Sequence, residues 1–452
     1  MGDGRGPDGG RGVTASMIDS AAVESFVVPF DQLLSDGAAP SWLQVVRRAA
    51  FERFATLGFP TTKNEDWHYT SVAPIAEHEF VHLTARSGDV HREDIAPFDF
   101  GGAELGWHTM VFVNGRFAPE LSDCASLPAG VTATDLASAL MQDVSLPERL
   151  GKIATMETQA FTALNTALMI DGAVVQIAKD TAVERPIHLV FVTDANAAKG
   201  MMHVRNLIEL GRNASATVIE SYVSLSNAVY LTNAVTEVSI ADGATLRHYK
   251  IQREGARAFH VGTVEAKQAR DSHYVSFTLS AGGALTRANV YATLDGAGCG
   301  VTLNGLTMLD GEQHCDIQTQ VIHAQPNCYS RELYKAVLDD RSHGVFNGKV
   351  YVHPIAQKTD GKQTNNTLLL SDTAQIDTKP QLEIFADDVK CTHGATVGQI
   401  DQTALFYLKS RAIDNALARR LLTYAFAADV LETIEVEPIR DGLERMTLER
   451  FV

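Results

Sequence analysis

Between about Gly172 and Ile400 the chain is a succession of short β-rich runs with no helix-length pattern between them. AVVQIA, IHLVFVT, NLIEL, ATVIESYVSL, AVTEVSI, ATLRHYKI, YVSFTLS, ANVYATL, VTLNGLTML and QTQVIH follow one another. Turns at Asp242-Gly243, Gly282-Gly283, Asp295-Gly296 and Asp310-Gly311 separate several of them. A doubly wound α/β sheet needs a helical stretch of roughly 10–15 residues between strands, so that architecture is excluded. A sandwich, a propeller and a β-solenoid remain. The recurring order of small or polar turn, then β-branched strand, favours the solenoid, although its period is irregular.

Helical patterns flank this region. In the first zone, from Met17 to Gly106, SWLQVVRRAAFERFATLGFP places Leu43, Val46, Ala50, Phe54 and Leu57 at spacings of three or four. Ser41 reads as its N-cap, and Gly58-Phe59-Pro60 as its stop. The middle zone, residues 107–400, opens with TMVFVNGRF, where Asn114-Gly115 signals a tight hairpin turn. A helical insert is predicted from Thr134 to Met169. The last zone, residues 401–452, starts a helix at Asp401 or Gln402, with Leu405, Leu408 and Ala412 on one side. Asp414 then caps a second helix, whose apolar stripe reads Leu417, Leu421, Ala425, Ala428 and Leu431. A charged tail, EVEPIRDGLERMTLERFV, follows. The helical pair either caps the solenoid's open end or presents an apolar face to a partner.

Composition narrows the function classes. With 38 Lys+Arg against 55 Asp+Glu, the 452-residue chain carries a formal charge of −17, which argues against nucleic acid or an anionic membrane as the main partner. No run approaches the roughly 18 apolar residues of a membrane-spanning helix. Residues 1–16, MGDGRGPDGGRGVTAS, lack the apolar run of a signal peptide and read as a disordered extension or an expression remnant. The cysteines, Cys124, Cys299, Cys315, Cys328 and Cys391, are odd in number, dispersed and free of CxxC, as expected of free thiols in a cytoplasmic protein.

No Walker A loop, dinucleotide fingerprint, GxSxG or HExxH occurs. Two polar clusters stand out. The first holds His314, Cys315, Asp316, His323, Cys328, His343 and His353. On a strand His314 and Asp316 share one face and Cys315 takes the other, and the spacing matches no zinc pattern, so a polar ladder is the plainer reading. The second is LEIFADDVKCTHGATVG, in which an extended backbone puts Val389, Cys391 and His393 on one face, just after Asp387 and Asp388. A thiol and an imidazole so placed can meet one metal, or the imidazolium can lower the thiol pKa. Two ligands are too few for a closed iron–sulfur site.

HCDIQTQVIHAQPNCYSRELYKAVL, GVFNGKVYVHPIAQKTDGKQTNNTLLLS, QLEIFADDVKCTHGATVGQID and LFYLKSRAI together resemble the SufB/SufD family of iron–sulfur cluster assembly proteins. NEDWHYTSV and FVNGRFAPELS agree more weakly. The resemblance implies a mostly β fold, a right-handed parallel β-helix core flanked by N- and C-terminal helical regions. His393-Gly394-Ala395 stands where SufB-like chains carry His-Glu-Ala, so the chain looks like the SufD side of the family. It implies a non-catalytic subunit that pairs with SufB through the β-helix and docks the ATPase SufC on its C-terminal helices, with a homodimer possible when isolated. It also implies a transient iron–sulfur cluster at the SufB interface, none being held stably by the chain alone. The family's interface histidine maps onto His393, as a cluster or iron ligand, and the neighbouring cysteine onto Cys391. Two alternatives are a β-helix carbohydrate-active enzyme and an autonomous metalloenzyme using His314, His323 and His353.

Overall fold

The structure, a computed structural model, describes residues 23–36, 39–85, 88–124 and 126–451. The predicted extension over residues 1–16 lies outside them. The β-rich middle folds as a parallel solenoid, with strands alternating between two ten-stranded sheets so that each coil gives one strand to each. Thr245 is the ladder partner of both Ser215 and His273, offsets of 30 and 28 residues, whereas His343 and Gln375 are offset by 32. Coil length therefore varies in the turns while the strands stay in register. That variation is why the period looks irregular in sequence.

Stacking in register puts equivalent side chains of neighbouring coils on the same face. The bore is filled by Val218, Leu246, Tyr274, Val301, Ile317, Tyr334, Phe346 and their neighbours. At the chain's entry end one sheet finishes in the hairpin His108–Val113 to Arg116–Phe117 and the other in Val131–Asp135, and the hairpin turn holds Asn114 at φ 49° and Gly115 at φ 77°. These are the left-handed values that an Asn-Gly hairpin turn requires. Helices Leu136–Gln142 and Ala160–Leu168 form the insert. The chain returns to the sheet at Gly172, where φ is 149° and a Cβ would lie 2.1 Å from the Arg205 carbonyl oxygen. Only glycine fits there.

The helix Ser41–Leu57 begins one residue earlier than expected: Pro40 is the N-cap and Ser41 the first helical residue. It packs on the insert helix Ala160–Leu168 through a cluster that includes Phe26, Phe54, Phe59 and Phe161. At the other end, Asp401 caps Gln402–Ser410 and Asp414 caps Asn415–Leu431, each through a side-chain oxygen. Three departures matter here. Leu417, Leu421 and Ala425 are exposed, and the buried face carries Ala418, Thr423, Ala427, Val430 and Leu431. Ala412 does not extend the first helix's stripe, because it sits in the connecting turn at φ 62°. The charged tail is a third helix, Glu437–Arg450, anchored by Ile439, Leu443 and Thr447.

These C-terminal helices do not cap the solenoid. They fold back along one sheet's outer face, where Val430, Leu431, Ile434, Ile439 and Leu443 cover Tyr249, Ile251, Phe277, Leu279, Leu306 and Met308. Full burial of such side chains contributes on the order of 2 kcal/mol each. The last coil, strands Gln375–Ile384 and Lys390–Gln399, is left as the free edge of both sheets. No helix among the described residues is long and apolar enough to cross a membrane.

Candidate functional site

The free edge carries the second polar cluster. Lys390–Gln399 pairs on one side only, with Asp360–Leu369, and the register sets Cys391 over Gly361, His393 over Gln363 and Val397 over Thr367. Gly361, Gln363, Asn365 and Thr367 are buried and face the bore. Cys391 and His393 therefore share the bore-facing side, as an extended backbone requires, while Val389 precedes the strand. Cys391 is half-buried beside Leu382 and Val389, and His393 is exposed. Burial pushes the Cys391 thiol pKa up, aided by the Asp360 charge and opposed by a backbone hydrogen bond at Gly361. The direction is opposite to the lowering that an imidazolium neighbour would bring. Asp388 is engaged by Lys358 rather than aimed at the thiol.

Beneath His393 runs a ladder of polar side chains. Glu332, Gln363 and His393 occupy one position on three successive strands. The Gln363 amide donates to Glu332 Oε1 at 3.2 Å, and Thr319 donates to Glu332 Oε2 at 2.6 Å. With its amide nitrogen so used, Gln363 leaves a buried Oε1 without a partner. Asn347 Oδ1, Asn365 Oδ1 and Thr367 Oγ1 are likewise buried and unpartnered. Gly348 makes room for Gln363, since a Cβ there would meet the Gln363 Nε2 at 2.2 Å. Burial raises the Glu332 pKa to about 7, against the hydrogen bonds from Thr319 and Gln363.

The first cluster is dispersed. Cys315 is in the bore core, while His314 and Asp316 face outward and meet Thr70, at 2.9 Å and 2.5 Å. Arg287 pairs with Asp316, donates to the Asp66 carbonyl oxygen at 2.7 Å and lies 4.1 Å over the Trp67 ring. The segment NEDWHYTSV is thus a strap on the outer sheet face, and the polar ladder is its seat. His323 sits at the far end of its strand, bonded to Ser330 at 3.0 Å, and His353 meets the Tyr351 ring edge to face. The His314, His323 and His353 trio does not converge. His343 bonds Asp377 at 2.8 Å. Cys328 is stacked beside Cys299 on adjacent coils, both sulfurs against the Gly296 carbonyl oxygen, at 3.3 Å and 2.9 Å. Among the described residues no group of three or more His, Cys, Asp or Glu is gathered to hold a metal ion.

A buried ionic network in the bore was not anticipated from sequence. Glu220 accepts from His248 at 2.9 Å, Tyr222 at 2.7 Å and Thr236 at 2.8 Å, while Glu254 faces His260 at 2.7 Å. The one available signal was a glutamate or lysine inside runs such as ATVIESYV and TLRHYKI.

Comparison with known proteins places this geometry. Residues 191–426 match the family described as "SUF system FeS cluster assembly, SufBD core domain", and residues 30–189 match the SufBD protein N-terminal region. The chain is 34% identical to the iron–sulfur cluster assembly protein SufD of Escherichia coli over 87% of its length and 89% of the relative's. It is 33% identical to an iron–sulfur cluster assembly SufBD family protein of Synechocystis, over 92% of each chain. SufD of Bacillus subtilis is 28% identical, over 89% of this chain and 93% of that one. The matched sequence spans nearly the whole chain, and the chain belongs to the SufB/SufD family of the SUF iron–sulfur cluster assembly system.

Proposed function

We propose that this chain is a non-catalytic subunit of the SUF scaffold that pairs with SufB through its last coil and docks SufC on its C-terminal helices. The observation that carries the reading is the free, uncapped edge at Lys390–Gln399, with Cys391 and His393 on its bore-facing side. An edge strand offers unpaired N–H and C=O groups for strand addition. The neighbouring edge strand contains Pro380, which lacks an N–H and so interrupts pairing there. Lys390–Gln399 has no proline, which favours it as the pairing strand. The cluster is cargo rather than a resident group. His393 would ligate it or its iron through a neutral ring nitrogen, with thiolates supplied by SufB, and mixed His/Cys ligation is established chemistry. Helices Gln402–Ser410 and Asn415–Leu431 carry Phe406, Tyr407, Leu417 and Leu421 exposed, which supports SufC docking there.

The test is reconstitution of the full chain with SufB and SufC. His393→Ala is expected to slow cluster formation by about tenfold or more while the complex still assembles. Full-rate cluster formation by that variant removes the ligand role. A separate Cys391→Ser variant tests the thiol.

A further inference from the structure

Far from the free edge, helices Val27–Ser35, Ser41–Leu57 and Leu136–Gln142 line a partly open pocket of about 290 Å³. Leu33, Leu43, Leu140 and Ile170 give it apolar walls, and two guanidiniums, Arg47 and Arg116, also line it. Arg47 is only 3% exposed. Its Nη2 donates to the Met169 carbonyl oxygen at 2.7 Å, while its Nε is buried with no partner. Among the described residues no carboxylate lies within ion-pair distance of it. Burial alone, with no opposing charge, lowers its pKa to about 10. Arg116 stands 3.8 Å from Asp171, whose carboxylate already accepts from the backbone N–H groups of Phe117, Ala137 and Gly172. His82 beside them is held neutral by burial, its pKa lowered to about 4. Asp36, at the rim, is exposed and pairs with neither arginine.

Buried charges in proteins are ordinarily paired. Here Asp171 stands beside Arg116 and, among the described residues, no carboxylate stands beside Arg47, so one positive charge is left over in a mostly apolar pocket. We propose that this cavity binds a small monocarboxylic acid, its carboxylate between Arg47 and Arg116 and its alkyl body against the leucines. A single negative charge balances the site, whereas a phosphate dianion would overshoot it. The mostly apolar walls favour an alkyl body over a sugar. A guanidinium receives a carboxylate through two parallel N–H donors.

The test uses the full chain, with hexanoate and octanoate as probes and hexanamide as the uncharged control, read by calorimetric titration and thermal melting. Saturable binding of the acids, with a rise in Tm that the amide does not produce, is expected. Arg47→Gln is expected to weaken binding by about tenfold or more. The same variant should leave the ligand-free Tm unchanged or higher, because it removes an uncompensated buried charge. Ala137→Trp, on the cavity wall, should block binding with both guanidiniums intact. Equal binding of acid and amide, no saturable binding up to about 10 mM, or parental affinity in Arg47→Gln would each overturn the proposal. Should Arg47→Gln fail to fold, Arg116→Gln and Ala137→Trp carry the test by the same criteria.

Discussion

Glu332 lies two strands below His393 on the same rung position, fully enclosed and with no cation among its hydrogen-bond partners. Its pKa of about 7 in the folded chain exceeds the ordinary 4.5. Between these values the native state binds more protons than the unfolded state, so stability falls as pH rises through that window and levels off above it. Glu332→Gln removes the effect and keeps the hydrogen bonds, because Thr319 can accept from the new amide and Gln363 can still donate to its oxygen. The variant should therefore be more stable than the parent at pH 8, by about 3 kcal/mol, with the gap closing toward pH 4.5. Glu265 is raised similarly, but it is present in both proteins and cancels in the difference. Thermal melts across pH read this directly, and a gap independent of pH would show that Glu332 is ionised throughout. At this scale the sequence was partly legible. Alternation along the strand put Cys391 and His393 on one face and Cys315 opposite His314, because strand periodicity is strictly two. Glu332, Gln363 and Arg47 were not legible, since their meaning depends on neighbours 13 to 122 residues away in the chain.

Helix ends were readable because capping is local. Asp401 and Asp414 each bond a backbone N–H within three residues, a pattern the sequence displays without tertiary help. Helix faces were less readable. Asn415–Leu431 is apolar on two sides, and Leu417, Leu421 and Ala425 recur every four residues on the side that the solenoid does not cover. A stripe alone cannot tell core from docking surface. The tail helix was missed because its charges hide the spacing of Ile439, Leu443 and Thr447. The uncovered side has a consequence. Phe406→Asp with Leu421→Asp should abolish co-purification of SufC and leave Tm within about 1 °C, since exposed substitutions away from packed features cost little. Retention of SufC by that variant would move the docking surface elsewhere, and a large fall in Tm would mean these side chains belong to the core.

Over the whole molecule, the decisive property is one-dimensional stacking. Each inner strand is held by a neighbour on either side, and stability passes from coil to coil. The class of fold was legible because strand followed strand with no helical spacing. The two-sheet cross-section was not, because coils of 28 and 32 residues stack equally well when the difference sits in a turn. Nor did the sequence disclose that the terminal helices fold back and leave the last coil bare. Local opening concentrates where burial and pairing are least. Amide exchange in the isolated chain should therefore be fastest among the strands in Gln375–Ile384 and Lys390–Gln399, and slow in inner strands such as His314–His323. Adding SufB should slow exchange in Lys390–Gln399 specifically, because strand addition occupies its free N–H groups, and Pro380 should make Gln375–Ile384 respond less. Concentration dependence in the chain alone would reveal self-pairing at the same edge. If SufB instead protects the entry hairpin, or protects nothing, the last coil is not the meeting surface and His393 loses its proposed place at a shared site.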